Sequence, residues 1–271
     1  MTTTRTTTSA DGTTITYDTK GSGPALVLVP AVLSTRAWDP LYAGLLDLLS
    51  DDFTVIHYDR RGRGDSGNTA PYAVEKEIQD IAAVIKDNGG RAYAYGISSG
   101  GALTIRAASQ LPEIEKAVVY DPPFIVDDSR PPLPDDYVEQ LDRAVAENRR
   151  GDAVELLMTR AIGVPADWVA AMKADPSWAA MEAVAHTISH DGRIMGTTMS
   201  GRPLPTEWKS ITTPTLVLNG GNSEPFLHTS GRRLADLLPN GEHQVVPDQS
   251  HDVAPAAVAP VLRAYLKGSV R

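Results

Sequence analysis

The chain has 271 residues, and 34 Asp and Glu against 25 Lys and Arg give it a net charge of −9. That balance argues against a nucleic-acid binder, because a phosphate backbone is gripped by clustered Lys and Arg and repels an acidic surface. Cysteine is absent, which removes disulfides, thiolate metal sites and a cysteine nucleophile together and leaves any chemistry to oxygen, nitrogen and carboxylate groups.

From the N-terminus, Met1 to Thr8 lacks the apolar core of a signal peptide. The threonines read as a disordered start leading into a first strand, and the expected location is cytoplasmic. The longest apolar run, Ala25 to Leu33, is far short of the roughly 20 residues a membrane-spanning helix needs. Short β-branched runs predict strands at Thr13–Tyr17, Ala25–Val29, Phe53–Tyr58, Arg91–Tyr95, Lys116–Tyr120, Thr215–Asn219 and Glu242–Val246. Helical periodicity falls between them at Leu41–Leu49, Val74–Lys86, Gly100–Gln110, Leu227–Leu238 and Ala256–Leu266. This alternation predicts an α/β fold: a mostly parallel, doubly wound sheet flanked by helices. One interruption, residues 126–206, is bordered by prolines and patterned as helix throughout, as at Tyr137–Glu147 and Ala153–Ile162. It reads as a helical cap inserted into a core domain made of residues 1–125 and 207–271.

The strongest local signal is Tyr95-Gly96-Ile97-Ser98-Ser99-Gly100-Gly101, directly after a strand and before a helix. Glycines two residues either side of a serine permit the sharp, strained turn that lifts a nucleophilic hydroxyl above the sheet edge, and the helix N-terminus behind it favours developing negative charge. An idle serine or a phosphate-binding turn is the bland alternative, but no Gly-Lys-Ser/Thr follows as a P-loop requires. A serine needs a base on a loop at the same edge. Among six histidines, His251 follows the last predicted strand and precedes the last helix. His57 sits inside a strand and reads as a packed, hydrogen-bonded core residue, while His228 and His243 flank a helix and read as solvated. His186 and His190 share one helical face, but no third metal ligand is evident, so no metal is expected.

In these features the chain resembles the α/β-hydrolases that carry a helical cap. The resemblance extends to Tyr58-Asp59-Arg-Arg-Gly62-Arg-Gly64-Asp65-Ser66-Gly67, to Pro214-Thr-Leu-Val-Leu-Asn-Gly220 and to Ser250-His251-Asp252. It implies that the Arg-Gly segment is a structural turn beside the active site. Where many relatives carry His-Gly after the third strand, this chain has Pro30-Ala31-Val32. By resemblance the Val32 backbone amide joins that of Ser99 in an oxyanion hole, and a backbone donor does not depend on its side chain. The family's acid commonly lies three residues after the glycine that ends the seventh strand, but Ser223 stands there and cannot hold a charge against an imidazolium. Two substitutes remain open: Glu224, one residue on, and Asp121, after the sixth strand, where haloalkane dehalogenases and zearalenone lactonases place theirs. A turn residue before Pro122 and Pro123 is the bland reading of Asp121.

Five of the six methionines and three of the four tryptophans fall between residues 158 and 208. A cap needs a core of its own, which accounts for most of them, and the remainder suggest an apolar pocket roof. The expected pocket residues are Leu33, Phe124, Trp168, Trp178 and His186. The resemblance implies a serine esterase or lactonase with Ser98, His251 and Asp121 as its triad, needing no cofactor. It would act on a largely apolar small molecule as a monomer or homodimer, without nucleic-acid or membrane partners. The rival readings are a lyase or cyclase using His251 for proton transfer, discriminated by a lack of ester turnover, and a ligand-binding receptor on the same scaffold.

Overall fold

The computed structural model describes residues 1–268. Eight strands form one sheet in the order β1-β2-β4-β3-β5-β6-β7-β8. They are β1 (Thr3–Thr8), β2 (Thr14–Lys20), β3 (Ala25–Val29), β4 (Thr54–Tyr58), β5 (Ala92–Ile97), β6 (Ile114–Tyr120), β7 (Thr215–Gly220) and β8 (Gly241–Val246). From β4 through β8 neighbouring strands run parallel, and β2 pairs antiparallel with both β1 and β4.

Strand β1 corrects the expectation of a disordered start. Its Thr3 to Thr8 pair with Thr19 to Thr14 of β2. Threonine is β-branched and suits a pleated surface, yet β1 is an edge strand exposed along most of its length, so no apolar alternation marks it. The seven other strands fall where the β-branched runs predict them, with ends shifted by up to a few residues.

Alternation along the central strands explains the layers. Val27, Val29, Ala94, Ala117, Val119 and Val217 face one side and pack on α2 (Val74–Asp87), α3 (Ser98–Ala108) and α9 (Pro225–Leu237). Leu26, Leu28, Tyr95, Val118, Leu216 and Leu218 face the other and pack on α1 (Pro40–Leu49) and α10 (Pro255–Lys267). Burying each Val, Leu or Ile contributes roughly 1.5–3 kcal/mol. Helix α1 starts where it does because Asp39 accepts a hydrogen bond from the Tyr42 amide at 3.2 Å and Pro40 opens the first turn.

Between β6 and β7 the chain forms α4 (Tyr137–Ala146), α5 (Arg150–Leu156), α6 (Ala166–Met172), α7 (Ser177–Val184) and α8 (Ile188–Met195), with a wider π-helical turn at Leu157–Ile162. Tyr137, Leu141, Val154, Trp178, Met181 and Ile188 close a third apolar cluster, which also takes Leu33 from the loop after β3. Among the described residues no helix is long and apolar enough to cross a membrane.

Two buried histidines make acid stability measurable. His57 packs edgewise on Tyr42 with its Nε2 unpartnered, which corrects the expectation of a hydrogen-bonded ring, and His190 lies flat on Tyr72 at 3.7 Å between centroids. Burial pushes each from the ordinary 6.5 to about 4. Because the unfolded chain protonates first, this stability is complete above about pH 6.5 and drains away as pH falls toward 4. The thermal midpoint should therefore drop between pH 7 and 4.5, less steeply in a His57→Gln/His190→Gln variant. A flat profile in the parent protein would contradict neutral buried rings.

Candidate active site

Strand β5 delivers Ser98 at the carboxyl edge of the sheet, at the first residue of α3. Its φ is +55°, a left-handed conformation that a serine holds only where the surroundings enforce it. The enforcement is close approach: a Cβ on Gly96 would lie 2.3 Å from the Gly100 carbonyl oxygen, and one on Gly100 would lie 2.2 Å from that of Val29. Only glycine at both positions lets strand and helix meet this tightly.

The loops after β3, β6, β7 and β8 converge on the same edge. Asp121, directly after β6 and also at positive φ, is fully buried. Its Oδ2 lies 3.4 Å from His251 Nδ1 and accepts a hydrogen bond from Ser223 Oγ at 2.5 Å. The Asp121 Oδ1 accepts from Asn219 Nδ2 at 2.7 Å and from the Gly220 amide at 3.3 Å. A carboxylate among these donors, facing an imidazole, is a geometry that orients the ring and stabilises its protonated form. Glu224 is exposed at the N-cap of α9, and no hydrogen bond joins it to His251. Ser223 thus occupies the family's usual place for the acid and donates instead to the Asp121 carboxylate, which stands one strand away. His243, expected to be solvated, bonds through Nε2 to Asn219 Oδ1 at 2.8 Å and extends the same network.

Ser98 and His251 line one cavity of about 790 Å³, with no hydrogen bond between them in this structure. Such contacts are often loose before substrate binds. The Val32 amide donates to the Ser99 hydroxyl at 2.9 Å.

The loop carrying Val32 has lost the freedom of His-Gly and is gripped instead. Arg63 Nη1 donates to the Ala31 carbonyl at 2.5 Å and Arg60 Nη1 to that of Pro30 at 3.3 Å. Both arginines come from the Arg-Gly turn after β4 and are buried. Arg60 forks onto Glu77 at 2.8 and 2.7 Å, and both reach the Asp191 carboxylate of α8. Burial alone would raise the Asp191 carboxyl. The Arg60 and Arg63 charges overturn that and hold it below the usual carboxylate range. The third arginine, Arg61, pairs with Asp80 and Asp11. With every guanidinium of this turn engaged internally, it offers no surface to a phosphate.

The expected pocket is corrected in four places. Leu33 lines the cavity, but Phe124 is buried in the core against Trp208, and Trp168 is 69% exposed on α6. Trp178 borders a separate surface concavity and His186 is not among the lining residues. The apolar lining comes instead from Ile188, Met195, Met199, Phe226 and Leu227. Two of these are methionines from the cluster noted in the sequence. The others carry no local mark, because which face of a helix looks into a cavity is decided by tertiary packing.

A parallel sheet with a strained serine turn after β5 and a histidine after β8 defines an α/β-hydrolase scaffold. The chain belongs to the α/β-hydrolase family, whose model matches residues 26–263. An α/β hydrolase from Sphaerobacter thermophilus is 49% identical and superimposes with a TM-score of 0.88, covering 97% of this chain and 100% of that one. The enol-lactonase from Burkholderia xenovorans shares the fold at 22% identity and a TM-score of 0.67, over 95% of this chain and 98% of its own. A non-heme chloroperoxidase from Kitasatospora aureofaciens is 25% identical, over 91% of this chain and 92% of that protein.

Proposed function

We propose that this protein is a serine hydrolase that cleaves an ester or lactone of a moderately sized, largely apolar molecule through an acyl-enzyme. The observation that carries the reading is the buried Asp121 carboxylate 3.4 Å from His251, on a cavity that His251 shares with Ser98. Ser98 attacks the carbonyl while His251 takes its proton and returns it to the leaving group; Asp121 holds the ring in the tautomer that leaves Nε2 free to accept. As the tetrahedral oxyanion forms, it takes the Val32 amide from the Ser99 hydroxyl and adds the Ser99 amide as its second donor. Water repeats the cycle to release the acid.

The position of Asp121 beside His251 favours this reading over a lyase or cyclase, since it offers a charge in place of the acid absent after β7. An ester or lactone is also the bond class suggested by the enol-lactonase neighbour. The test is labelling with a fluorophosphonate alongside turnover of p-nitrophenyl acyl esters. The wild type should be labelled and active, and Ser98→Ala neither. Labelling that persists in Ser98→Ala, or a folded wild type with no ester turnover, removes the assignment.

A further inference from the structure

One cation lining the cavity has no acid of its own. Arg130, on the segment that leads from β6 into α4, borders the same cavity as Ser98 and His251. Burial lowers its pKa, and the charge of Glu224 acts in the opposite direction, yet among the described residues no carboxylate lies within salt-bridge distance of it. The buried arginines described above, Arg60, Arg61 and Arg63, all have such partners.

The guanidinium is nonetheless held in place. Its Nη2 donates to the carbonyl oxygens of Ala161 at 2.6 Å and Arg160 at 3.3 Å, at the end of the π-helical turn. Its Cζ sits 4.8 Å from the ring centre of Phe226, another cavity residue. Gly163, at φ +92°, leaves room: a Cβ there would come within 3.3 Å of Nη2. Bracing at one nitrogen leaves Nε and Nη1 without a protein acceptor among the described residues. A half-buried, pre-positioned guanidinium with donors left on Nε and Nη1 is suited to an oxyacid, which it can hold by charge and by a charge-assisted hydrogen bond.

We infer that Arg130 is a specificity subsite for a carboxylate at the end of the substrate remote from the scissile bond, so that the enzyme prefers an apolar ester or lactone with an anionic terminus. This rests on the hydrolase reading above and narrows its substrate class. The cavity's other acids leave the subsite open. Asp191 is neutralised by two arginines, Asp39 is engaged by Ser34 and the Tyr42 amide, and Asp252 and Glu224 are exposed. Glu224 is the one whose charge Arg130 feels, and it sets how strongly an incoming anion is held.

The experiment compares mono-p-nitrophenyl esters of straight-chain dicarboxylic acids with their methyl-capped counterparts over a series of chain lengths. Wild type should favour the free carboxylate by about tenfold or more in kcat/KM at its best length. Arg130→Gln should bring that ratio close to one, Arg130→Lys should retain part of it, and Glu224→Gln should raise it. The ratio is read within each variant, so a lower yield of folded protein cancels. A wild type with no preference at any length, or an Arg130→Gln variant that keeps it, overturns the subsite. A binding readout separates this result from failure of the hydrolase reading: titration of wild type and Arg130→Gln with decanoate against decanol by tryptophan fluorescence. Tighter decanoate binding that depends on Arg130 supports the subsite even if no ester is cleaved; equal binding in both proteins refutes it.

Discussion

Asp121→Asn is expected to lower kcat by roughly four orders of magnitude with KM little changed, the scale on which a triad fails when its histidine is left in the wrong tautomer. The surroundings of Asp121 dictate the failure. Asn219 Nδ2 and the Gly220 amide both donate to Oδ1, so the carbonyl of an asparagine must stay on that side. Its amide nitrogen then faces His251 Nδ1, which has to accept. The ring proton moves to Nε2, the nitrogen that must take the proton from Ser98. Because the substituted residue is nearly isosteric and keeps its partners on one side, the variant should fold, as circular dichroism would report. Steady-state rates on a p-nitrophenyl ester decide the matter, and a loss of less than tenfold would take Asp121 out of the triad. Glu224→Gln should lose far less, since that carboxylate is exposed and makes no bond to His251.

Asp191→Ala is expected to destabilise the protein by about 3–5 kcal/mol, the usual consequence of deleting one member of a buried ionic group. For a chain of this size that corresponds to a melting midpoint lowered on the order of 10 °C. Removing the Asp191 carboxylate leaves Arg60 and Arg63 buried as like charges with only Glu77 between them as counter-charge. The effect reaches the chemistry as well. The same guanidiniums hold the Pro30 and Ala31 carbonyls, so loosening them frees the loop that carries the Val32 amide. Activity of the folded fraction should fall together with stability, whereas Asp191→Asn, which preserves shape and one acceptor, should fall less in both. A midpoint within about 2 °C of the parent would show that water or rearrangement makes good the missing charge.

The residues differ in how far their roles can be read from the chain alone. Ser98 and His251 are legible because their signals are local: glycines at fixed spacing and a position between the last strand and the last helix. The central strands are legible because burial on both faces leaves unbroken apolar runs such as Ala25–Val29. Asp121 is visible only as one of two candidates, since the choice depends on which carboxylate meets a ring 130 residues away. The pairing of Arg63 with Asp191, 128 residues apart, has no local trace at all. Nor do Trp168 and Trp178 reveal where they point: each occupies a helix whose cavity-facing side is set by neighbours far away in the chain.

The contact between Ser223 and Asp121 also bears on how such a site changes over generations. Two consecutive parallel strands deliver side chains to one point beside the imidazole, the acid from one and a hydroxyl from the other, 2.5 Å apart. A lineage could pass the negative charge between these two addresses without moving the histidine or the serine. The intermediate with aspartates at both would have them share a proton, as closely spaced carboxyls do, and still present one anion to the ring. In the proposed mechanism the acid is therefore an exchangeable part, whereas Ser98, fixed by glycines that tolerate no Cβ, is not.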